Sequence, residues 1–232
     1  MNIALITAGG KGVRMNQEIP KQFLTVYDKP VIAYTMEAFQ KHLGIDAIAV
    51  VCVEGWESIL AAYARQYGIT KLKHIIPGGA SNQESIEHGL FELEKHYAPE
   101  DLVLIHDGNR AMVTQDIISD CIATACEHGS AIAVIPCQEV ILETTDQTTS
   151  GVSYAREKLK RTQTPHGFPL GKICDAYRRA KEKGIVNSAA ACGLLVALGE
   201  TVHFCAGSEK NLKITTPDDL EIFKALLRLS DN

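Results

Sequence analysis

The stretch "LITAGGKGVRM", Leu5–Met15, decides the reading of the fold. An apolar run that begins at Asn2 enters a Thr-Ala-Gly-Gly-Lys-Gly turn, with Lys11 inside it and Arg14 just after. In open α/β sheets, ligands lie at the carboxyl ends of the strands, and successive backbone N–H groups there make a seat for an anion. Glycines let the main chain approach phosphate oxygens, and Arg and Lys add charge. The dinucleotide fingerprint needs a third glycine, which Gly10-Lys11-Gly12-Val13-Arg14-Met15 lacks, and no string G-x-x-x-x-G-K-[ST] occurs. What remains is a phosphate-binding glycine loop of another kind. Its cations are Lys11, Arg14 and, after Pro20, Lys21, which suits a triphosphate.

Outward from this turn, short apolar runs alternate with amphipathic segments. Strands are expected at 2–7, 46–53, 73–77, 101–107 and 131–137, and helices at 30–44, 56–68, 81–96 and 114–129. Pro30 opens the first helix, with Ile32, Met36, Phe39 and Leu43 on its apolar face and Gly44 as its stop. Ser81 and Glu84 have capping-box spacing. Near-continuous apolar strands between helices predict a Rossmann-like, mainly parallel twisted sheet covered by helices on both faces. The 232 residues are expected to form one domain, 1–232, with no linker or repeat. The alternation breaks at 138–165, where β-branched runs flank the polar tip "TTDQTTSG". This predicts a projecting β-hairpin, an arm over about 138–161. Its free edges call for a cover, and the arm of a second copy supplies one in a homodimer. Helices at about 170–183 and 187–199, strands "TVHFC" and "NLKIT", and a helix from Pro217 complete the chain.

The net charge of −5 disfavours nucleic acid and anionic membranes as partners. No run approaches the ~20 apolar residues of a membrane span, and no signal pattern opens the chain, so a cytoplasmic location is expected. Seven scattered cysteines, without a C-x-x-C pair, read as reduced and mostly buried thiols.

A second constellation is "HDGNR", 106–110. Asp107 ends a strand beside the glycine loop, where a carboxylate can hold Mg²⁺ against phosphates, or can instead pair with Arg110. A third is "NLKIT", 211–215, where Lys213 between Leu212 and Ile214 reads by itself as a surface lysine.

Taken together, "TAGGKGVRM…PKQF", "GGASNQES", "HDGNR", "TQTPHGF" and "NLKITTPDDL" resemble, in order and spacing, the polyol-phosphate cytidylyltransferases of the methylerythritol-phosphate and ribitol-phosphate types. The resemblance covers essentially the whole chain. It implies transfer of CMP from CTP to a small polyol phosphate, giving a CDP-polyol and pyrophosphate, with Mg²⁺ or another divalent cation. Arg14, Lys21 and Lys213 match the cations that hold the triphosphate and stabilise the transition state, which reverses the surface reading of Lys213. Ala8, Gly9, Gly10, Lys11 and Gly12 match the phosphate cradle. Gly79 and Ser85 match base and ribose contacts, and Asp107 matches the metal-side carboxylate. On the acceptor side the matching positions are Arg110, Val140, Arg156 and Ser188, with Arg156 reaching across a dimer. Four departures stand out: Asn82 where the family has Arg, Ala111 where it has Pro, Glu139-Val140 for Asp-Thr, and Asn187-Ser188-Ala189 for Thr-Asp-x. The last two fall where polyol hydroxyls should lie, so ribitol 5-phosphate is favoured slightly over 2-C-methyl-D-erythritol 4-phosphate. A different phosphate or phosphonate acceptor, and a nucleotide-binding dimer without catalysis, remain as alternatives.

Overall fold

A computed structural model describes residues 1–10 and 19–230. In chain order the strands are β1 (Asn2–Ala8), β2 (Thr25–Val26), β3 (Lys29–Pro30), β4 (Ala47–Cys52), β5 (Leu72–Pro77), β6 (Leu102–Asp107), β7 (Ala131–Pro136), β8 (Ile141–Glu143), β9 (Val152–Tyr154), β10 (Lys160–Pro169) and β11 (Phe204–Ala206). The helices are α1 (Val31–Lys41), α2 (Glu57–Gln66), α3 (Asn82–Leu93), α4 (Gln115–His128), α5 (Leu170–Glu182), α6 (Ala191–Ala197) and α7 (Pro217–Ser230). Among the described residues the main sheet has seven strands in the order β11-β7-β10-β6-β1-β4-β5. β1 runs parallel to both neighbours, and β10 alone is antiparallel, lying between β6 and β7.

The apolar strand runs follow from burial on both faces. Side chains alternate along β1. Ala4 and Ile6 pack with Ile32, Met36 and Phe39 of α1 and Cys121 of α4, whereas Ile3 and Leu5 pack with Ile86 and Leu90 of α3 and Ile173 of α5. Both sets are buried, so β1 is the centre of two cores. Leu43, expected on the α1 face, lies beyond the helix end and is 98% exposed. Six of the seven cysteines are buried, Cys126 being the exposed one, and all are free.

Three local expectations are corrected. The break at 138–165 is not all hairpin: from Lys160 the chain is back in the main sheet as β10, and the hairpin proper is β8 paired with β9. "NLKIT" is not a strand; Asn211–Thr215 is irregular. The helix expected at 187–199 is shorter, Ala191–Ala197. No helix among the described residues is long and apolar enough to cross a membrane.

The topology positions the site. β4 lies on one side of β1 and β6 on the other, so the chain departs from β1 in both directions, and the carboxyl ends of these strands open a crevice there. The register places Thr7 beside Asp107 and Ala8 beside Cys52.

Candidate active site

A cavity of about 800 Å³ fills this crevice. Ala8, Gly9 and Gly10 form one wall and Gly78 to Asn82 with Ser85 another, and Lys21, Asp107 and Lys213 also line it. The two glycine loops touch. A Cβ on Gly9 would sit 3.0 Å from Ser85 Oγ, and one on Gly78 would sit 3.2 Å from Gly9 Cα. A side chain at either position would push the two loops apart. A Cβ on Gly79 would overlap Glu84 Cγ at 2.4 Å. The Gly79 N–H donates to Ser85 Oγ at 3.0 Å, fixing that hydroxyl at the cavity wall. α3 begins here with the expected cap: Glu84 N–H donates to Ser81 Oγ (3.1 Å) and Ala80 N–H to Glu84 Oε2 (2.7 Å).

Gln22, which the sequence reading passed over, secures the first loop. Its side-chain amide is 2% exposed and donates to the carbonyls of Ala8 (2.6 Å) and Gly10 (3.1 Å). The "PKQF" string is thus partly a brace, with Lys21 presented beside it. Lys11, Gly12 and Arg14 lie outside the described residues.

Asp107 stands between two cations. Lys213 Nζ donates to its Oδ1 and Arg110 Nε to its Oδ2, both at 3.0 Å. Burial by itself would raise this carboxyl; Lys213 and Arg110 outweigh it and hold the pKa at about 2. The group is ionised at neutral pH. Lys213 arrives without a strand because Asn109 takes the place of a ladder partner. The Asn109 side chain donates to the Ile214 carbonyl, and Ile214 N–H donates to the Asn109 carbonyl at 2.9 Å. Arg110 Nη1 also donates to the Asn211 carbonyl at 2.7 Å.

Below Asp107 lies a buried polar chain. His106 meets the Arg110 carbonyl through Nε2 (3.1 Å) and the Thr164 hydroxyl through Nδ1 (3.0 Å). A carbonyl only accepts, so Nε2 carries the proton and Nδ1 accepts from Thr164. Asp107 N–H donates to the same Thr164 oxygen at 3.0 Å. This chain ties β10 to the 106–110 turn and explains why Thr164 and His106 are buried.

A second cavity of about 170 Å³ adjoins the first; both have Thr7, Asn82, Asp107 and Lys213 in their walls. Arg110, Thr164, His166 and Ala189–Ala191 complete the smaller one. Asn82 bridges the two, its amide donating to the Ala189 carbonyl at 3.1 Å. Ser188 is in neither wall; its hydroxyl donates to the Ala190 carbonyl and its N–H to Gln83. These bonds hold the 188–190 turn. Val140 and Arg156 are on the arm, exposed, and line neither cavity of their own chain.

His106 and His166 also set an acid limit. Burial, the dominant cause for both rings, lowers each pKa to about 4. An unfolded imidazole titrates near 6.5. Between these values the unfolded chain binds protons that the folded chain does not, so stability falls as pH drops. The expected result is a Tm that declines from about pH 6.5 towards 4, each ring contributing up to about 1.4 kcal/mol per pH unit. Calorimetry across this window checks it; a flat Tm would mean that the rings titrate normally.

The comparisons with known proteins agree with this geometry. The family described as "IspD: 2-C-methyl-D-erythritol 4-phosphate cytidylyltransferase" matches residues 2–229. A ribitol-5-phosphate cytidylyltransferase of Lacticaseibacillus paracasei is 41% identical over 98% of both chains. A 2-C-methyl-D-erythritol 4-phosphate cytidylyltransferase of Desulforamulus reducens is 35% identical, over 97% of this chain and 95% of that one. Among solved structures, 2-C-methyl-D-erythritol 4-phosphate cytidylyltransferase from Thermus thermophilus aligns with a TM-score of 0.76 at 28% identity, over 97% and 98% of the two chains. With a family match from end to end and relatives this similar, the chain belongs to the IspD-type cytidylyltransferases of polyol phosphates.

Proposed function

We propose that this cytidylyltransferase moves CMP from CTP to ribitol 5-phosphate in the cytoplasm, as a single-domain enzyme whose arms pair in a homodimer. The observation that carries the reading is the pair of adjoining cavities with Asp107 and Lys213 in both walls. Two substrates must meet at one phosphorus atom. The larger space suits the nucleotide and the smaller one the acceptor phosphate. An acceptor phosphate oxygen attacks the α-phosphorus of CTP; the new P–O bond forms as the bond to the β-phosphate bridge breaks. The electron pair leaves with pyrophosphate, and no covalent enzyme intermediate is needed. Catalysis then consists of positioning and charge stabilisation. Lys21 and Lys213, with Arg14, supply the positive charge, the backbone of Ala8–Gly10 lies along the phosphates, and Gly79 and Ser85 face the nucleoside.

A divalent cation fits Asp107. The carboxylate is ionised, and each oxygen takes one hydrogen bond and keeps lone-pair capacity. One carboxylate together with substrate phosphates and water is a usual Mg²⁺ environment. Bound there, Mg²⁺ would screen phosphate charge as a Lewis acid.

The choice of ribitol 5-phosphate rests on residues and relatives together. Val140 offers no hydroxyl, Ser188 is committed to its own turn, and alanines 189–191 line the smaller cavity. A relative named for ribitol 5-phosphate is 41% identical, and one named for methylerythritol phosphate is 35% identical. An unpaired substrate hydroxyl costs about 1–3 kcal/mol. Steady-state kinetics with CTP should therefore give a kcat/KM for ribitol 5-phosphate roughly tenfold or more above that for methylerythritol phosphate. The opposite order would overturn the assignment of the acceptor and leave the reaction class intact.

The arm supports the dimer. Val140, Ile141, Leu142, Val152 and Tyr154 are all at least 40% exposed on a two-stranded ribbon. So much apolar surface on so short a ribbon calls for a cover. Light scattering at micromolar concentration should give a dimer, and Leu142→Asp with Val152→Asp should shift it to monomer and reduce activity, because Arg156 of one copy no longer reaches the other's acceptor. A fully active wild-type monomer would refute the arrangement.

A further inference from the structure

We infer that His74, Glu92 and His96 form a binding site for a divalent first-row transition-metal ion of the Zn²⁺ class. The site is separate from both cavities, since none of the three residues lines either wall, and the inference is independent of the proposed acceptor. His74 is on β5, the edge strand of the sheet; Glu92 is in the last turn of α3, and His96 follows one turn later. One ligand atom from each lies within 4.8 Å of the others, and no other set of three or more such groups comes together among the described residues.

The chemistry of the set is specific. Two imidazoles and one carboxylate, with an open position for water, are a recurrent zinc arrangement. Metal–ligand bonds of about 2.0–2.2 Å at tetrahedral angles separate the donor atoms by about 3.4 Å. His96 Nε2 and Glu92 Oε1 are already 3.1 Å apart. The His74 and His96 rings lie 4.7 Å apart between centroids, tilted by 31°, and the three ligand atoms need to draw in from within 4.8 Å of one another to close the triangle. A partner to an imidazole's second nitrogen is the usual support of a metal-bound histidine. His74 has such a partner, because its Nε2 meets the Tyr97 hydroxyl at 3.2 Å and Nδ1 is then the ligating atom. The opposing feature is Lys95, whose ammonium lies 2.7 Å from Glu92 Oε2. It occupies the other carboxylate oxygen on an exposed surface, where such a pair is weak and yields to a divalent ion. Mg²⁺ should not compete, because it prefers an all-oxygen octahedral shell.

The location gives the site a use. β5 and α3 are joined by the loop 78–81, which forms one wall of the larger cavity. A metal ion linking His74 to Glu92 and His96 clips the far ends of these two elements together. Along α3 the clip stands about 15 Å from the capping end that carries Ser81. It would stabilise the wall without touching nucleotide.

The test is calorimetric titration of Zn²⁺ into the full-length chain, without nucleotide and with excess Mg²⁺. The expected result is one ion per chain with a Kd in the micromolar range or tighter. His96→Ala and His74→Ala should each weaken it at least tenfold, and Glu92→Gln should also weaken it. His203→Ala serves as the control. It disrupts the His128–His203 stack, centroids 4.6 Å apart, and should change nothing. Co²⁺ gives a second readout, as visible bands of low-symmetry coordination that vanish in His96→Ala. His96 is exposed at a helix end, so this variant keeps the test valid if His74→Ala fails to fold. Absence of saturable Zn²⁺ binding in the wild type, or binding that survives both histidine substitutions, would overturn the inference.

Discussion

Lys213→Ala lowers kcat by about 100-fold or more while leaving the protein folded, because it removes charge that is needed most when the α-phosphorus is five-coordinate. The fold tolerates the change. Lys213 is held in place by its neighbours: Ile214 is fixed to Asn109 on both sides of the peptide, and Asn211 donates through its side chain to the Thr164 carbonyl at 2.9 Å. Its side chain is 40% exposed, and a pair so exposed to solvent contributes about 0–1 kcal/mol to stability. Lys21→Ala should act in the same way on kcat. Pyrophosphate release at saturating CTP, together with a melting curve, separates the two quantities. A variant that kept more than half of the wild-type kcat would remove that lysine from the catalytic role.

Asp107→Asn acts on both stability and chemistry. The carboxylate is the shared counter-charge of Arg110 and Lys213, and the Arg110 side chain is only 11% exposed. Removing the shared anion, unlike removing the exposed Lys213, leaves the Arg110 charge buried without its counter-charge, at a cost of about 3–5 kcal/mol. Solvent around Lys213 puts the expected loss near the lower end. Urea unfolding should therefore report a loss of about 3 kcal/mol, partly reversed by CTP, whose phosphates replace the missing anion. Activity should need more Mg²⁺. Unchanged unfolding would refute the charge balance, and an unchanged Mg²⁺ titration would refute the metal-side role; the two outcomes are independent.

What could be read in the sequence follows the same division between apolar and polar order. β1, β4 and β6 are legible because both faces of each strand are covered, which forces uninterrupted apolar runs such as "AIAVVC". The cap at Ser81 is legible because a side chain must accept from an N–H at the helix start. β10 escaped because polar Gln163, Thr164 and His166 are buried in it beside Phe168, with Gln163 and Thr164 held by hydrogen bonds to Ser208, His106 and the Asp107 turn rather than by hydrophobicity. No apolar period marks such a strand. Gln22, Asn109 and Asn211 were missed for the same reason: each is a buried amide whose partners are backbone groups at least twelve residues away, and sequence spacing does not encode that partnership.

The two stems of the arm have an evolutionary consequence. The chain leaves the sheet along β7 and returns along β10, and these strands are direct neighbours, with Lys160 opposite Pro136. Everything between them is an excursion from what would otherwise be an ordinary hairpin. Residues 137–159 can lengthen, shorten or change composition without shifting the register of any strand or moving the turns that carry Asp107 and Lys213. Selection can therefore revise the excursion as a cassette while the sheet and the turns around the larger cavity are inherited unchanged.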